Sequence, residues 1–201
     1  MNKPFFIAEV KTISPYGFKS NYTEQQLFSM ALRSDSNVIS IHTDPLWGYG
    51  ESIHRHTTLA HNNGKKVLAK GLHESDEEID WLLTSAKVDY VLVVGRIPAK
   101  KYLSRCILEP ITGNQTEEMA KISNKIAGVV MNARDLYTGE ILSVGYKYET
   151  TGYKCPIIQA SGIETVKDIQ KWADGYIVGE HLPGFIISKR LQKLYEQQKV
   201  R

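Results

Sequence analysis

Several short apolar segments of this sequence end in side chains that can move a proton or bind an anion. They end in Glu9 and Lys11 (first segment), Lys70 (third), Glu109 (fifth), Asn132 and Arg134 (sixth), and Ser161 with Gly162 (seventh). Side chains two residues apart on a strand project to the same face, so Glu9 and Lys11 share one face, and Asn132 and Arg134 repeat this spacing. A lysine ammonium and a carboxylate at one site are the groups that general acid–base catalysis uses.

These charges would have to compensate one another if they met in one interior. A buried charge is costly unless it is paired, and two lysines with two glutamates from different strands can form such pairs. Opposite charges keep each other ionised, whereas like charges push one group towards neutrality, so the cluster would also tune protonation. A single lysine or glutamate at the end of a strand is ordinarily a solvated loop residue. Only the repeated pattern therefore indicates an acid–base site.

The apolar segments themselves predict the fold. There are eight of them, too short for buried helices and carrying β-branched residues, at residues 5–8, 38–41, 67–69, 90–94, 106–108, 126–131, 156–158 and 176–178. Such segments are typical of strands buried on both faces of a parallel sheet. Amphipathic stretches predict helices over residues 23–32, 75–86, 164–172 and 187–195. This alternation favours an α/β fold, a compact (β/α)8 TIM barrel with catalytic groups where the strands end; a doubly wound open sheet is the alternative.

Length and composition indicate a single domain spanning residues 1–201. The chain is 42% hydrophobic and 23% charged, which suits one domain with a sizeable core. No apolar run approaches the roughly 20 residues of a membrane helix. No signal-peptide pattern follows Met1, and the two cysteines, Cys106 and Cys155, suit a reducing compartment, so we expect a cytoplasmic protein with no membrane partner. A net charge of +3 is too small to imply a nucleic-acid partner but is compatible with a small anionic ligand.

Two glycine-containing turns are candidate sites for a phosphate group. Ser161-Gly162 precedes a stretch predicted to be helical, and Gly179 follows the eighth strand. Backbone amides at such turns attract anions, and the loops after strands seven and eight of barrels often hold phosphate. Arg134 can add a charged hydrogen bond. The alternative is that these glycines only make tight turns.

Taken together, these segments resemble indole-3-glycerol phosphate synthase, an enzyme family of tryptophan biosynthesis. The matching motifs, in chain order, are Ala8-Glu9-Val10-Lys11 with Ser14-Pro15, Ile39-Ser40-Ile41-His42-Thr43-Asp44 with Trp47 and Gly48, Leu68-Ala69-Lys70, Ile107-Leu108-Glu109, Asn132-Ala133-Arg134-Asp135-Leu136, Ser161-Gly162-Ile163, and Val178-Gly179-Glu180-His181-Leu182. They cover nearly the whole chain in the family's order.

The resemblance implies a carbon–carbon lyase that uses no metal and no organic cofactor. Its substrate would be a phosphorylated, open-chain aminodeoxyribulose carrying an anthranilate ring, and the reaction would close the indole ring, release carbon dioxide and eliminate water. Lys70 would be the general acid at the sugar carbonyl and Glu109 the general base. Lys11 would bind or protonate the substrate, with Glu9 and Asn132 orienting it. Substrate or phosphate binding would fall to Ser14, Arg134, Ser161, Gly162, Gly179 and Glu180.

The chain departs from the family pattern mainly where the aromatic ring would be recognised. Strand one begins near Phe5, so we expect the family's N-terminal extension, which helps to cover the site, to be absent. Ala160 replaces a glutamate at the end of strand seven, and Gly71-Leu72 replace an aspartate and an aromatic residue. The fourth helix and the region after strand six are also shortened or remodelled. We therefore expect a diverged enzyme that keeps the acid–base chemistry but accepts a different aglycone.

Two other functions stay open. A degenerate barrel would bind a phosphosugar or a protein partner without turnover; Ala160 favours this, and the retained lysines and glutamates argue against it. A phosphoribosylanthranilate isomerase-like enzyme is the weaker alternative, because that family uses a cysteine base after strand one, where this chain has Lys11.

The histidines give no sign of a metal site. His54 and His56 lie two apart in a predicted helix and face different directions, with no evident third ligand. His42 follows strand two, where a side chain can line the mouth of the barrel, but it is interpreted as a loop residue. No heptad or strand-edge pattern predicts an oligomeric state.

Overall fold

A closed barrel of eight parallel strands forms the centre of the protein in a computed structural model that describes residues 4–43, 53–136, 138–141 and 152–199. The strands are β1 (Phe5–Val10), β2 (Val38–His42), β3 (Lys66–Lys70), β4 (Tyr90–Val94), β5 (Cys106–Glu109), β6 (Gly128–Asn132), β7 (Ile157–Ala160) and β8 (Gly175–Val178). Each pairs with the next along the chain, and β8 pairs with β1. The predicted (β/α)8 barrel is therefore confirmed, and the open-sheet alternative is wrong. The motif residues Asp44, Trp47 and Gly48 lie outside the described residues.

Helices lie between the strands and after β8. They are α1 (Glu24–Arg33), α2 (Ile53–Asn62), α3 (Asp76–Thr84), α4 (Gly113–Lys121) and α5 (Leu182–Lys199), with 3-10 turns at Leu103–Arg105, Ser123–Lys125 and Val166–Asp168. The side chains of Thr23 and Ser75 cap α1 and α3 by accepting hydrogen bonds from backbone N–H groups of the first turn. Within the described ranges, no helix is both long and apolar enough to cross a membrane.

The predicted helix over residues 164–172 is wrong, because only the 3-10 turn Val166–Asp168 forms there. The side chain of Gln159, on β7, donates a hydrogen bond to the carbonyl oxygen at the end of this turn and accepts one from the N–H of Gln170. These contacts take backbone groups that a helix would pair internally, so the chain becomes extended at Ile169.

Alternation along the strands puts the polar residues at one mouth of the barrel. Inside the barrel, one apolar cluster consists of Ile7, Leu68, Leu92, Ile107, Val130, Ile158, Ala160 and Ile177. The opposite faces of the strands pack against the helices in a second, larger cluster. Strand residues two apart share a face, so the positions two residues beyond the interior cluster line the carboxyl-terminal mouth. Those positions include Glu9, Lys70, Glu109, Asn132 and Gly179.

Candidate active site

Glu9 lies at the centre of the polar mouth and is held by two neighbours. It is buried near the end of β1, and its Oε1 accepts a hydrogen bond of 2.8 Å from Nζ of Lys70, on β3. Nε2 of His42, at the end of β2, lies 2.8 Å from the same oxygen. The register of the sheet explains this meeting, because His42 is paired directly with Lys70. The fold thus brings Glu9 and Lys70 together, as charge compensation predicts.

This pairing fixes the protonation of both partners. Burial by itself would raise the pKa of Glu9, but the charge of Lys70 and the hydrogen bond with His42 hold it well below its usual range. Burial would likewise lower the pKa of Lys70, yet the charge and hydrogen bond of Glu9 raise it. Glu9 is therefore an anion and Lys70 a cation at neutral pH. A lysine in this state can donate a proton, which is the behaviour of a general acid.

Glu109 occupies a different electrostatic environment across the mouth. Its carboxyl is buried at the end of β5, and burial raises its pKa, although a hydrogen bond from Asn132 and the charge of Lys70 act in the opposite direction. Nδ2 of Asn132 donates to Oε1 of Glu109 over 2.8 Å. Two carboxyls of one site thus have pKa values moved in opposite directions. Such a difference between two pKa values is typical of sites in which one carboxylate stays ionised and stabilises charge while the other exchanges protons.

A second charged group lies at the rim, where Glu180 joins two cations. Nζ of Lys11 donates to Oε1 of Glu180 over 2.8 Å. Nη2 of Arg134 lies 3.2 Å from both carboxylate oxygens. The guanidinium is also fixed by Nη1, which donates to the carbonyl oxygen of Gly139 over 2.8 Å, and it lies 5.1 Å from the ring centre of Tyr16. These contacts make the rim a network of fixed charges.

The two charged groups face a common cavity of about 500 Å³. Its described lining includes Glu9, Lys11, Lys70, Arg134, Ala160, Ser161, Gly162, Gly179 and Glu180. Ser161 and Gly162 both have left-handed backbone, with φ of 64° and 67°, and both line this cavity. Consecutive N–H groups in such turns form concave sites for anions. The cavity is therefore large enough for a small phosphorylated ligand and has a candidate anion turn at one wall.

Gly179 has a steric role beside the anion turn. A Cβ at this position would lie 2.3 Å from Oε2 of Glu9, far inside normal contact. Glycine is therefore what allows the buried carboxylate of Glu9 to pack against the start of the β8–α5 loop. The backbone of Gly179 and the side chain of Glu9 form one packed unit.

Three predicted site residues do not line this cavity: Glu109 and Asn132, at the ends of β5 and β6, and Ser14. Of these, Ser14 is the one that lies outside the barrel strands. It lies in the β1–α1 loop, its side chain is buried, and it is not part of the cavity wall. Its hydroxyl has no hydrogen-bond partner among the described residues. A role for Ser14 in substrate binding stays a prediction.

His42 is the main residue that sequence reasoning missed. It is the last residue of β2, not a loop residue, so its interpretation as one is wrong. Ile41 faces outward, and His42 alternates with it and turns towards Glu9. The alternation of side chains along β2 could have revealed this, because it places His42 on the face of the strand that points into the barrel.

A neighbouring contact explains why glycine follows Lys70. Oγ1 of Thr43 lies 2.7 Å from Nε2 of His73, a buried residue whose pKa is lowered by burial. A Cβ at Gly71 would come within 2.8 Å of that Thr43 oxygen and 3.1 Å of the His73 nitrogen. The aspartate that the family pattern has at this position would not fit here. The Thr43–His73 hydrogen bond occupies its place.

Metal binding finds no support in the described part of the chain. No group of three or more histidine, cysteine or acidic side chains there is arranged to hold a metal ion. Cys106 is buried and Cys155 half-buried, and burial raises the pKa of both thiols, to about 12 and about 11. Neither cysteine lies near the end of β1, which is where a phosphoribosylanthranilate isomerase-like enzyme would need its cysteine base.

Comparisons with known proteins show the fold. No protein family model and no curated protein matches the chain. A crystal structure of monomers of dimeric phosphoribosylanthranilate isomerase from Thermotoga maritima is 10% identical, with a TM-score of 0.58 over 92% of this chain and 93% of that one. CdNal from Clostridium difficile, solved with mannosamine, is 16% identical, with a TM-score of 0.55 over 100% of this chain and 78% of that one. At such identities the likeness establishes a (β/α)8 barrel and nothing about substrate.

Proposed function

We propose that this protein is a diverged carbon–carbon lyase of the indole-3-glycerol phosphate synthase type, acting on a phosphorylated aminodeoxyribulose with an altered aglycone. The observation that carries the proposal is the pairing of a cationic Lys70 with Glu9 at the cavity, opposite Glu109, whose pKa burial raises. A cationic proton donor beside two carboxyls whose pKa values are moved in opposite directions, that of Glu9 down and that of Glu109 up, suits the acid–base steps of ring closure and dehydration.

Each charged residue has one task in the proposed reaction. As a ring carbon of the aglycone bonds to the carbonyl carbon of the sugar, Lys70 donates a proton to the carbonyl oxygen, which becomes a hydroxyl. The electrons of the breaking carboxylate bond restore the aromatic ring as carbon dioxide leaves. Glu109 then takes the proton that is lost from the ring system and passes it to the hydroxyl, which departs as water. Glu9 keeps Lys70 charged and in place, and Asn132 orients Glu109.

The phosphate of the substrate would bind at the turns after β7 and β8. Ser161, Gly162 and Gly179 line the cavity with backbone, and Lys11 and Arg134 supply charge at its rim. Backbone N–H groups and a guanidinium are the usual partners of a phosphate in barrels. We assign the aglycone to the apolar part of the same cavity wall, which includes Ala160.

Turnover of the family's own substrate is the direct test. The purified protein is incubated with carboxyphenylamino-deoxyribulose phosphate, and indole fluorescence is followed with time. We expect turnover that Lys70→Ala lowers by at least ~100-fold, since general acid catalysis contributes about 10²–10⁴. Lys66→Ala is the matched control, because Lys66 lies on the same strand at the opposite end of the barrel, where it donates to Tyr90. No turnover above the Lys70→Ala background would refute the family reaction.

Ala160 supports a second candidate, a barrel that binds a phosphosugar without converting it. This residue is buried at the cavity wall, where the family pattern has a carboxylate. Under this alternative, phosphosugars bind with measurable heat, and no substrate of a panel with different aglycones is turned over. Turnover of any member of the panel would exclude it.

A further inference from the structure

Glu180 binds two cations of the cavity wall that also contains the Ser161-Gly162 turn. Its carboxylate binds Nζ of Lys11 at 2.8 Å and Nη2 of Arg134 through both oxygens at 3.2 Å. The three side chains are mostly buried, with exposed fractions of 13% for Lys11, 15% for Arg134 and 22% for Glu180. In this state a carboxylate of the protein itself lies where an anionic ligand would find its charged partners.

The charges of the cavity wall determine which cations an anionic ligand can bind. Its described lining holds the cations Lys11, Lys70 and Arg134 and the carboxylates Glu9, Glu164, Asp168 and Glu180. Lys70 is already bound to Glu9. While Glu180 holds the other two, no lysine or arginine of the described lining is left to attract a phosphate. An anion that binds to Lys11 or Arg134 therefore competes with Glu180.

The structure offers Glu180 a second position. A neighbouring cavity of about 470 Å³ shares Glu180 with the first and is also lined by Lys19 and by the first turn of α5. A lysine and a helix N-terminus both favour a carboxylate. Arg134 would stay in place after release, because Nη1 remains bound to the carbonyl oxygen of Gly139 and the guanidinium remains beside Tyr16.

We propose that Glu180 is a resident anion of the phosphate subsite, which the phosphate of the ligand displaces from Lys11 and Arg134. The inference rests on the proposed function only for the class of ligand, a phosphorylated small molecule. Glu180 thereby sets the specificity of the rim, because a ligand whose anionic group is too weak to displace the carboxylate is rejected. A doubly charged phosphate gains two charged hydrogen-bond partners by the exchange.

Calorimetric titration with inorganic phosphate tests this. Glu180→Gln keeps the shape of the side chain but removes the competing charge, so we expect phosphate to bind about tenfold more tightly than to the wild type, the effect of one charge-assisted hydrogen bond gained without competition. Glu164→Gln is the matched control, because it removes a carboxylate from the same cavity wall that holds neither Lys11 nor Arg134. At an exposed position the loss of this charge should change the phosphate affinity less than about twofold.

A third variant keeps the test decisive if Glu180→Gln folds poorly. Glu180→Asp retains the charge but shortens the side chain, so it should release at least one cation and give an intermediate affinity. Phosphate binding that is unchanged, weakened or undetectable in both Glu180 variants would overturn the inference. If Glu180→Gln binds phosphate tenfold more tightly but the protein turns over no substrate, the lyase reaction is refuted and the role of Glu180 is supported. The failure of one proposal can therefore be distinguished from the failure of the other.

Discussion

Replacing Gly179 with alanine is expected to disable the site without changing any charged residue. A Cβ at this position would lie 2.3 Å from Oε2 of Glu9 and 2.9 Å from its Cδ. The backbone of Gly179 does not lie in the left-handed region, so alanine is compatible with its conformation. The contact with the Glu9 carboxylate is therefore what opposes the substitution.

The size of the effect follows from how Glu9 is held. Ordinary contact begins near 3.4 Å, so Oε2 would have to retreat by about 1 Å. Such a shift would stretch the 2.8 Å contacts of Oε1 with Lys70 and His42 beyond hydrogen-bond range. With ~1.5–3 kcal/mol for each hydrogen bond to a charged group, we expect a loss of about 3 kcal/mol in the free energy of unfolding. That corresponds to a melting temperature lower by roughly 6–12 °C, and a 1 Å misplacement of Lys70 would lower kcat about a hundredfold.

Thermal unfolding and the indole fluorescence assay measure the two effects on the same samples. Gly184→Ala is the control, because a Cβ there meets nothing within 4 Å and the residue lies in the first turn of α5. If Gly179→Ala melts and turns over like Gly184→Ala, the packing of Glu9 against this turn is not what positions Lys70.

Two further predictions concern Glu109. Glu109→Gln should abolish turnover yet raise the melting temperature at neutral pH. The raised pKa means that the folded protein holds this proton more tightly than the unfolded chain does, so the charged carboxylate destabilises the fold. Calorimetry near neutral pH and again near pH 4 checks this, because the difference should vanish where Glu109 is protonated. Asn132→Ala should move the acidic limb of the kcat/KM profile to higher pH, since the lost hydrogen bond lowers the pKa of Glu109 in the wild type. An unmoved limb would argue against Glu109 as the base.

The fold could be predicted from the sequence because each strand is a short apolar segment buried on both faces. All eight segments are strands, with ends that differ from the predicted ones by two residues or fewer. The helix predicted over residues 164–172 does not form, and the cause is a contact with another strand that the apolar pattern of the segment does not show. A side chain on β7, Gln159, binds the backbone at both ends of the turn, and no pattern within the segment reveals a partner on another strand.

The acid–base residues could be predicted by position, but their pairing could not. Strand ends place Glu9, Lys70 and Glu109 at one mouth, whereas the sheet register decides that Lys70 meets Glu9. His42 was missed because the predicted strand stopped one residue early, at Ile41. A predicted strand longer by one residue would have placed His42 beside the carboxylate of Glu9 instead of in a solvated loop.

The alanine at position 160 is consistent with the way charge is balanced at this mouth. Glu9 binds Lys70, Glu180 binds both Lys11 and Arg134, and the charge of Lys70 also acts to lower the pKa of Glu109. Ala160 is paired in register with Asn132, which itself binds Glu109, so a glutamate there would bring a fourth carboxyl beside Glu109. Like charges at such a distance raise each other's pKa, and burial already raises that of Glu109. Alanine at this position therefore leaves the pKa of Glu109 lower than a glutamate would, which favours the proposed role of Glu109 as the base, and it makes this part of the cavity wall apolar.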